Sequence, residues 1–443
     1  MAWSGKARLA LVEGNGRYFA YDGRPIFLRG HSRLWPLAGW IGGGTARTDT
    51  GQHFRPEVQR TYLDEIEQVA RSGGNLFRMT PFWPDAWKYG YPMPFERVEP
   101  GRFDLSKPDE RFWSAMRDFL QRCAERDIIV QLEMWDRPGL SHWHESRWPA
   151  HPFNPDHNVN YGQETLPGQA SADIVFGQKL FYRAIEPGRN NKLLHYQRSY
   201  VDRMLAETLD LPNVIYCIEN EGCGGIGWES YWAGVVHEAA RARGVRAFVT
   251  AMPLEPAEHG WRAYFDDPNF NCLDGGGTGL RYATYWREPD QASGQEGDYL
   301  RYRGDSLALI RETMAKYRLL MELQPDKARP VYVSNCFGKN RDNVWMMLVS
   351  GAAGLRYHRR TYDPAETVYS WVRALAEFLE TTQMPFWRMQ PLERGLAGAG
   401  YGMGNDVCAA VFLPLTRPAK LQVPPGRWRV RLFATANGQV VNE

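Results

Sequence analysis

Short apolar runs alternate with amphipathic stretches along most of the chain. Eight of these runs, rich in β-branched and aromatic residues and bounded by turn residues, predict strands at 25–32, 75–81, 128–136, 213–221, 246–253, 269–277, 329–337 and 352–359. Most intervening stretches carry apolar residues at three- and four-residue spacing, which predicts helices. This alternation predicts an α/β fold, a (β/α)8 TIM barrel that extends from residue 17 to about residue 385.

The pattern changes after residue 385. Three short strand-like segments, separated by proline and glycine turns, read "DVCAAVFLP", "AKLQVPP" and "RWRVRLFA". We therefore expect two domains. Residues 1–385 would form the barrel with an N-terminal extension, and residues 386–443 would form a small C-terminal β-sandwich, for which a structural role is favoured.

Two of the connections that follow predicted strands are unusually long, at roughly 137–190 and 278–304. Long connections within a compact domain are usually functional. Both are rich in aromatic residues, and both would leave the carboxyl ends of strands, where barrel enzymes keep their active sites. The alternative is that they only cover this end of the barrel.

Composition narrows the function classes. The net charge is +2, which gives no electrostatic footprint for nucleic acid or an anionic membrane. The six cysteines are scattered and lack the spacing of zinc ligands, so no metal and no other cofactor is expected. No signal peptide or membrane-spanning run is visible, so we expect a soluble protein, either cytoplasmic or secreted after removal of a signal peptide.

Polar side chains collect at the carboxyl ends of the predicted strands. The segment "NVIYCIENE" (213–221) is apolar along its length and ends in Glu219, Asn220 and Glu221. Such a strand is typical of a barrel that delivers catalytic groups to its rim. The other strand ends contribute further polar and aromatic residues: Arg29, His31, Arg78, Glu133, Trp135, Asp136, Asp274, Ser334, Asn335, Arg356, His358 and Arg359.

The strand ends lack the marks of several other barrel chemistries. No lysine stands at a predicted strand end, which argues against Schiff-base catalysis. No glycine-rich phosphate loop follows the seventh or eighth strand, and no G-x-S-x-G motif is present. Carboxylates together with 17 Trp and 22 Tyr, whose rings stack well on sugar rings, favour cleavage of glycosidic bonds.

Four segments carry a resemblance to a known family: "GRPIFLRGHSRLW" (23–35), "NLFRMTPF" (75–82), "NVIYCIENE" (213–221) and "SGAAGLRYH" (350–358). With them the chain resembles the cellulase-like (β/α)8 glycoside hydrolases of the large retaining clan. The resemblance implies that Glu221 is the acid/base and that Asn220 holds the sugar hydroxyl beside the scissile bond. It also implies that Arg78 braces the second carboxylate, and that the subsite is lined by His31, Trp135 and His358.

The seventh strand departs from this clan, which places its nucleophilic glutamate there. Residues 331–337 read Val-Tyr-Val-Ser-Asn-Cys-Phe, with Asn335 and no carboxylate. Three explanations stay open. The second carboxylate could come from Asp274, Glu133 or Asp136, in an inverting arrangement with carboxyl groups roughly 6.5–9.5 Å apart. Asn335 could mark a loss of activity. The seventh strand could also be misaligned.

The sequence thus predicts a glycosidase acting on a poly- or oligosaccharide. Glu221 is its proton donor, Asp274 is the first choice for the second carboxylate, and Glu133 is a further catalytic candidate. Trp35 and Trp40 are expected to stack on sugars. The predicted substrate-binding residues are His31, Arg78, Trp83, Trp135, Asp136, Glu219, Asn220, Asn335, Arg356 and His358.

For several of these residues a structural role is the alternative. Arg78 and Glu133 could form an ion pair, Asp274 could cap a loop, Trp83 could be buried, and Glu219 could be a hydrogen-bonded interior group. At the level of the whole protein, the alternatives are a non-catalytic carbohydrate-binding barrel and a transglycosylase or lyase on the same scaffold. No oligomeric state is predicted.

Overall fold

The eight predicted strands are present in the computed structural model. We label them β1 (Leu28–Ser32), β2 (Leu76–Met79), β3 (Ile129–Asp136), β4 (Val214–Asn220), β5 (Phe248–Thr250), β6 (Leu273–Asp274), β7 (Val331–Cys336) and β8 (Gly354–His358). The structure describes residues 8–32, 37, 62–140, 147–166, 179–253, 260–275, 306–336, 341–358, 365–392, 396–398, 400–414 and 419–442.

The strands form two four-stranded sheets, in the orders β5-β4-β3-β2 and β6-β7-β8-β1. The pairings of β3 with β4, β4 with β5, β6 with β7, β7 with β8, and β8 with β1 are all parallel. Among the described residues, no continuous ladder joins the two sheets into one closed barrel. The fold is therefore established as α/β with parallel sheets.

Two asparagines that directly precede strands, or lie close before them, form paired hydrogen bonds with a residue of another segment. Asn75 precedes β2; its backbone amide donates to Arg29 O at 2.8 Å, and its Oδ1 accepts from Arg29 N at 2.8 Å. Asn271 precedes β6 and bonds Val249 of β5 in the same way, at 3.2 and 2.8 Å. At both places, the Oδ1 atom of the asparagine accepts the hydrogen bond that a backbone carbonyl would accept in a regular strand pairing.

Helices lie between the strands, as the periodicity predicts. The helices are α1 (Tyr62–Arg71), α2 (Glu110–Glu125), α3 (Arg137–Leu140), α4 (Lys179–Tyr182), α5 (Asn191–Thr208), α6 (Gly225–Ala242), α7 (Gly260–Asp266), α8 (Ser306–Leu323), α9 (Asp342–Val349) and α10 (Ala365–Thr382). In the described part of the chain, no helix is both long enough and apolar enough to cross a bilayer.

Helix α2 illustrates how the sequence sets these elements. Asp109 caps its N-terminus, since the carboxylate accepts a hydrogen bond from Arg111 N at 3.0 Å. Its buried positions recur at three- and four-residue spacing: Phe112, Trp113, Met116, Phe119, Leu120, Cys123 and Ala124. Burial of this face, rather than helix propensity, stabilises the element.

Several short antiparallel strands lie outside this pattern. Ala10–Val12, Asn15–Tyr21 and Arg24–Ile26 form an N-terminal sheet, and Phe95–Glu99 pairs with Arg102–Pro108. The C-terminal segment contains one three-stranded sheet and two strand pairs: Gln390–Pro391, Tyr401–Gly404 and Ala409–Phe412; Leu396–Gly398 with Ala419–Leu421; Leu432–Phe433 with Val440–Asn442. These strands agree with the predicted β character of 386–443 but do not establish a β-sandwich.

Backbone contacts divide the chain into two compact units. Unit 1 consists mainly of Arg78–Asn271 and carries the tips of β2 to β5. Unit 2 combines Ala7–Ser32, Gln68–Phe77 and Cys272–Glu443, and it carries β1 and β6 to β8. The expected domain boundary at residue 385 stays a prediction.

Candidate functional site

In unit 1, the tips of β2, β3 and β4 are joined by a buried polar network. Arg78 is 1% exposed and donates through Nε to Glu133 Oε1 and through Nη2 to Asn220 Oδ1. Thr80 donates its hydroxyl to Glu133 Oε2. Both oxygens of the fully buried Glu133 therefore accept hydrogen bonds, as a buried carboxylate requires.

Asp136 extends this network toward the rim. The parallel register of β3 and β4 sets Asp136 beside Asn220, and Asn220 Nδ2 donates to Asp136 Oδ1 at 2.7 Å. The residue keeps part of its surface exposed, but its Oδ2 atom is buried and accepts no hydrogen bond from any residue that the structure describes. Asp136 is thus held through Oδ1, while Oδ2 has no described hydrogen-bond partner.

The surroundings of Asp136 change its acidity. Burial is the main reason that its pKa is raised to about 7, and the negative charges of Glu133 and Glu221 act in the same direction. The hydrogen bond from Asn220 and the charge of Arg78 oppose the increase. A carboxyl group with a pKa near 7 can accept and release a proton at neutral pH.

Glu221 follows directly after β4 and turns away from the strand. Its φ of 49° lies in the left-handed region, which is costly for a residue with a side chain and is often found at functional sites. The next amide, Gly222 N, anchors the turn by donating to Met252 O at 2.9 Å. The Glu221 side chain is 16% exposed, and its Oε2 lies 3.4 Å from Arg137 Nη2.

Glu219 lies in β4, and its buried side chain reaches the backbone amides just before α6. Its Oε1 accepts from the Tyr182 hydroxyl at 2.5 Å. Its Oε2 accepts from the backbone amides of Cys223 and Gly224, at 3.0 and 3.3 Å. The carboxylate therefore satisfies amides at a helix N-terminus, where negative charge is favoured. Burial nevertheless raises the pKa of Glu219 above its usual range.

Two tryptophans predicted to bind substrate are buried in unit 1. Trp135 is 4% exposed and packs against Trp228 and Trp232 of α6, with ring centroids 5.8 and 5.6 Å away. Trp83 is 7% exposed, and the guanidinium carbon of Arg147 lies 3.1 Å from its ring centroid. Both rings therefore contribute to the core, and neither presents an open face in this structure.

In unit 2, Asp274 and Arg356 bind Ser334. Asp274 Oδ1 accepts from Ser334 N at 3.1 Å, and Oδ2 accepts from the Ser334 hydroxyl. The Arg356 guanidinium is fully buried and donates to Ser334 O at 2.7 Å. Asp274 is itself 3% exposed, so both of its oxygens serve the packing of β6 against β7.

Three further predicted site residues, His31, Asn335 and His358, lie in unit 2. His31 Nε2 is 2.7 Å from the Ser72 hydroxyl, and its ring packs against Tyr369 with centroids 3.8 Å apart. Asn335 lies in β7, and His358 is the last residue of β8. The side chains of these two residues lie outside the described part of the structure, as do Trp35, Trp40 and most of the second long connection.

Several residues around the site were not predicted from the sequence. Thr80 and Arg137 directly follow β2 and β3, so the strand-end rule could have identified them. Tyr182, Glu229 and Tyr264 lie on helices and carry no comparable signal. Among the described residues, no group of three or more His, Cys, Asp or Glu side chains is arranged to hold a metal ion.

The fold is similar to solved glycoside hydrolases. A variant of a glycoside hydrolase family 5 mannosidase from Rhizomucor miehei is 12% identical, with a TM-score of 0.53 over 86% of this chain and 100% of that chain. A glycoside hydrolase family 5 protein from Bacteroides vulgatus is 12% identical, with a TM-score of 0.51 over 91% of this chain and 80% of that chain.

The chain is thus a remote structural match to the cellulase-like glycoside hydrolase clan. At this level of identity the likeness concerns the fold alone. No known protein-family profile matches the sequence, and comparison with curated proteins finds no relative.

Proposed function

We propose that this protein is a glycoside hydrolase in which Glu221 donates a proton to the departing oxygen. The observation that carries the proposal is the position of Glu221. It is a partly exposed carboxyl group on a left-handed turn, directly after Asn220, which Arg78 and Asp136 hold in place. A fixed amide beside a solvent-accessible acid suits the binding of a sugar hydroxyl next to the bond that breaks.

Asp136 is the second carboxylate that the geometry favours. Glu133 and Asp274 each use both oxygens for hydrogen bonds inside the protein. Asp136 keeps one oxygen without a described hydrogen-bond partner. The proposal therefore moves the second catalytic role from Asp274 to Asp136, at the strand next to the one that carries Glu221.

We also propose the architecture in which this chemistry operates. The eight strands would close into a (β/α)8 barrel, and residues 386–443 would form a β-sandwich. The bonds of Asn75 with Arg29 and of Asn271 with Val249 support closure, because each links neighbouring strands in the barrel order. The fold of the similar glycoside hydrolases supports the same arrangement.

The test is a proton NMR digest of a panel of glycans with wild-type protein and Glu221→Gln. β-Mannans come first in the panel, because one similar structure is a mannosidase. New anomeric signals that Glu221→Gln reduces by about 10²-fold or more would support the proposal. The first-formed anomer would distinguish attack by Asp136 itself from attack by a water that Asp136 activates. Equal rates in both proteins would refute the role of Glu221.

A non-catalytic carbohydrate-binding protein is the second candidate. It is favoured by Asn335, which stands in β7 where the clan carries its nucleophilic glutamate. This candidate predicts saturable shifts of sugar resonances without product, and equal sugar affinity in wild-type protein and Glu221→Gln. A transglycosylase would instead produce longer chains, and a lyase would produce an unsaturated sugar.

A further inference from the structure

Two buried carboxyl groups meet behind the turn that carries Glu221. Glu219 at the end of β4 and Glu229 on α6 are both fully buried. A Cβ atom added to Gly222 would lie 2.5 Å from Glu229 Oε1 and 3.0 Å from Glu219 Oε2. These two oxygens therefore both lie beside Gly222, and a side chain at this position would have to displace Glu229.

The hydrogen bonds of the two carboxyl groups are unequal. Glu219 accepts three hydrogen bonds, and both of its oxygens are used. Glu229 Oε2 accepts one, from the Tyr264 hydroxyl, whereas Oε1 has no hydrogen-bond partner among the residues that the structure describes. Two adjacent carboxylates cannot both stay ionised when they are buried. Glu219, which accepts more hydrogen bonds, keeps the negative charge, and Glu229 keeps a proton.

We propose that Glu229 is held as a neutral acid whose Oε1–H donates to Glu219 Oε2, and that this pair positions the turn from Glu221 to Gly224. The positioning role rests on the proposed function of Glu221. The protonation state of the pair does not rest on it. Glu219 and Glu229 are positioning residues, because they act on the reaction through the turn.

The surrounding groups agree with this assignment. Burial and the charge of Glu219 both raise the pKa of Glu229 well above its usual range. The nearby Tyr264, Tyr182 and Cys223 carry no charge at neutral pH, since burial raises the pKa of each further above its ordinary value. The cation that acts on Glu219 is Arg137, whose guanidinium also contacts Glu221.

The pair makes the turn sensitive to alkaline pH. When Glu229 loses its proton, two negative charges face each other at Gly222, and the turn must move to separate them. Below the raised pKa of Glu229, the folded state keeps a proton that the unfolded state has already released above a pH of about 4.3. Stability should therefore fall as pH rises from that value to the raised pKa of Glu229, and remain level above it.

Infrared spectroscopy tests the proton directly. At pH 8, the wild-type minus Glu229→Gln difference spectrum should contain the carbonyl band of one protonated carboxylic acid. The matched control, Glu238→Gln, replaces an exposed glutamate on the same helix and should leave no such band. Absence of the acid band from the Glu229→Gln difference spectrum would overturn the proposal, whether or not the protein is an enzyme.

Chemical unfolding gives a second readout that is independent of activity. Relative to Glu229→Gln, the folding equilibrium constant of the wild-type protein should fall about tenfold per pH unit between the unfolded and folded pKa values of Glu229. Glu229→Gln keeps a donor in place of Oε1–H and should fold normally. Parallel pH profiles for the two proteins would contradict a proton held by Glu229.

Turnover tests the positioning role. Glu229→Gln should keep kcat within about twofold of wild type, whereas Glu229→Met, which removes the donor, should lower kcat at least about tenfold with little change in KM. The alkaline decline of kcat should also shift in Glu229→Gln. If the infrared band is present but both variants have wild-type kcat and pH profiles, the positioning role is refuted. Absence of turnover in every protein would refute the proposed function and leave the infrared result standing.

Discussion

The strand ends of unit 1 and unit 2 carry similar polar residues but use them differently. In unit 1, a chain of contacts runs from Glu133 through Arg78 and Asn220 to Asp136, where one carboxylate oxygen has no described hydrogen-bond partner. In unit 2, Asp274 gives both oxygens to Ser334. The first arrangement leaves one carboxylate oxygen without a described partner, whereas in the second both carboxylate oxygens bind a residue of the protein.

The role of a polar residue at a strand end depends on its hydrogen bonds as well as on its position. Position alone suggests chemistry equally for Asp136 and Asp274. The hydrogen bonds separate them, because both oxygens of Asp274 bind Ser334 of the neighbouring strand, whereas one oxygen of Asp136 has no described hydrogen-bond partner. For this reason we propose catalysis in unit 1 and a packing role for the Asp274 cluster in unit 2. Each of the following variants tests that proposal.

The largest effect on stability is expected for Arg78→Ala. It would leave the buried Glu133 without its cation, a change that typically costs about 3–5 kcal/mol. Urea unfolding measures this loss. The matched control is Arg122→Ala, which breaks an exposed ion pair with Asp118 and should change stability far less. Equal effects of the two variants would mean that the network does not stabilise unit 1.

Asp136→Asn should lower turnover by about 10²-fold or more, because the amide cannot accept a proton or carry negative charge. The variant retains the acceptor for Asn220 Nδ2, so substrate affinity and the fold should change little. Steady-state kinetics on the substrate found by the glycan panel measure the effect. Turnover close to that of wild type would remove Asp136 from the mechanism.

The acidity of Asp136 also predicts a pH-dependent stability. Its pKa is about 7 in the folded state and about 3.9 in the unfolded state, so the folded state holds a proton between these values. The free energy of unfolding should fall as pH rises from about 4 to 7 and stay level above 7. Urea midpoints at pH 5 and 8 should therefore differ more for wild type than for Asp136→Asn.

Asp104 provides a control of opposite sign. Burial favours a higher pKa there, but hydrogen bonds from Asn160 and Ser106 outweigh it and lower the pKa of Asp104 to about 2. Its stabilisation is present above a pH of about 4 and is lost as pH falls toward 2. In Asp104→Asn, the free energy of unfolding should therefore fall less than in wild type as pH drops from about 4 toward 2. In Asp136→Asn, the pH dependence should instead change between about pH 4 and 7.

The smallest effect is expected for Asp274→Asn. The amide keeps an acceptor for Ser334 N but weakens a charge-assisted bond with the Ser334 hydroxyl, so stability should fall by about 1–2 kcal/mol. Turnover should stay within about threefold of wild type in the same assay. A loss of turnover as large as that of Asp136→Asn would abolish the distinction between the two units.

Much of the fold is predictable because each core strand has a local signature. The segment 213–221 predicted β4, observed as Val214–Asn220, from a continuous apolar run with a polar end. The pair Phe95–Glu99 and Arg102–Pro108 was missed, because its strands are short and largely exposed, and they carry no apolar run. Similarly, the N-terminal sheet was treated as an extension of the barrel.

The site was less predictable, because side-chain partners depend on neighbours that are distant in sequence. Glu221 and Asn220 were identified from their position after a strand. The sequence could not show that Glu133 binds Arg78 and Thr80, or that Asp274 binds Ser334, 60 residues away. It also gave no sign of the proposed pairing of Glu229 on α6 with Glu219.

The most direct test measures the rate of new reducing-end formation by Glu221→Gln and Asp274→Asn, side by side with wild type on one glycan substrate. We expect Glu221→Gln to lose about 10²-fold or more of the wild-type rate, and Asp274→Asn to stay within about threefold of it. A result in which Asp274→Asn loses turnover as severely as Glu221→Gln, or in which Glu221→Gln remains fully active, would contradict the assignment of catalysis to unit 1.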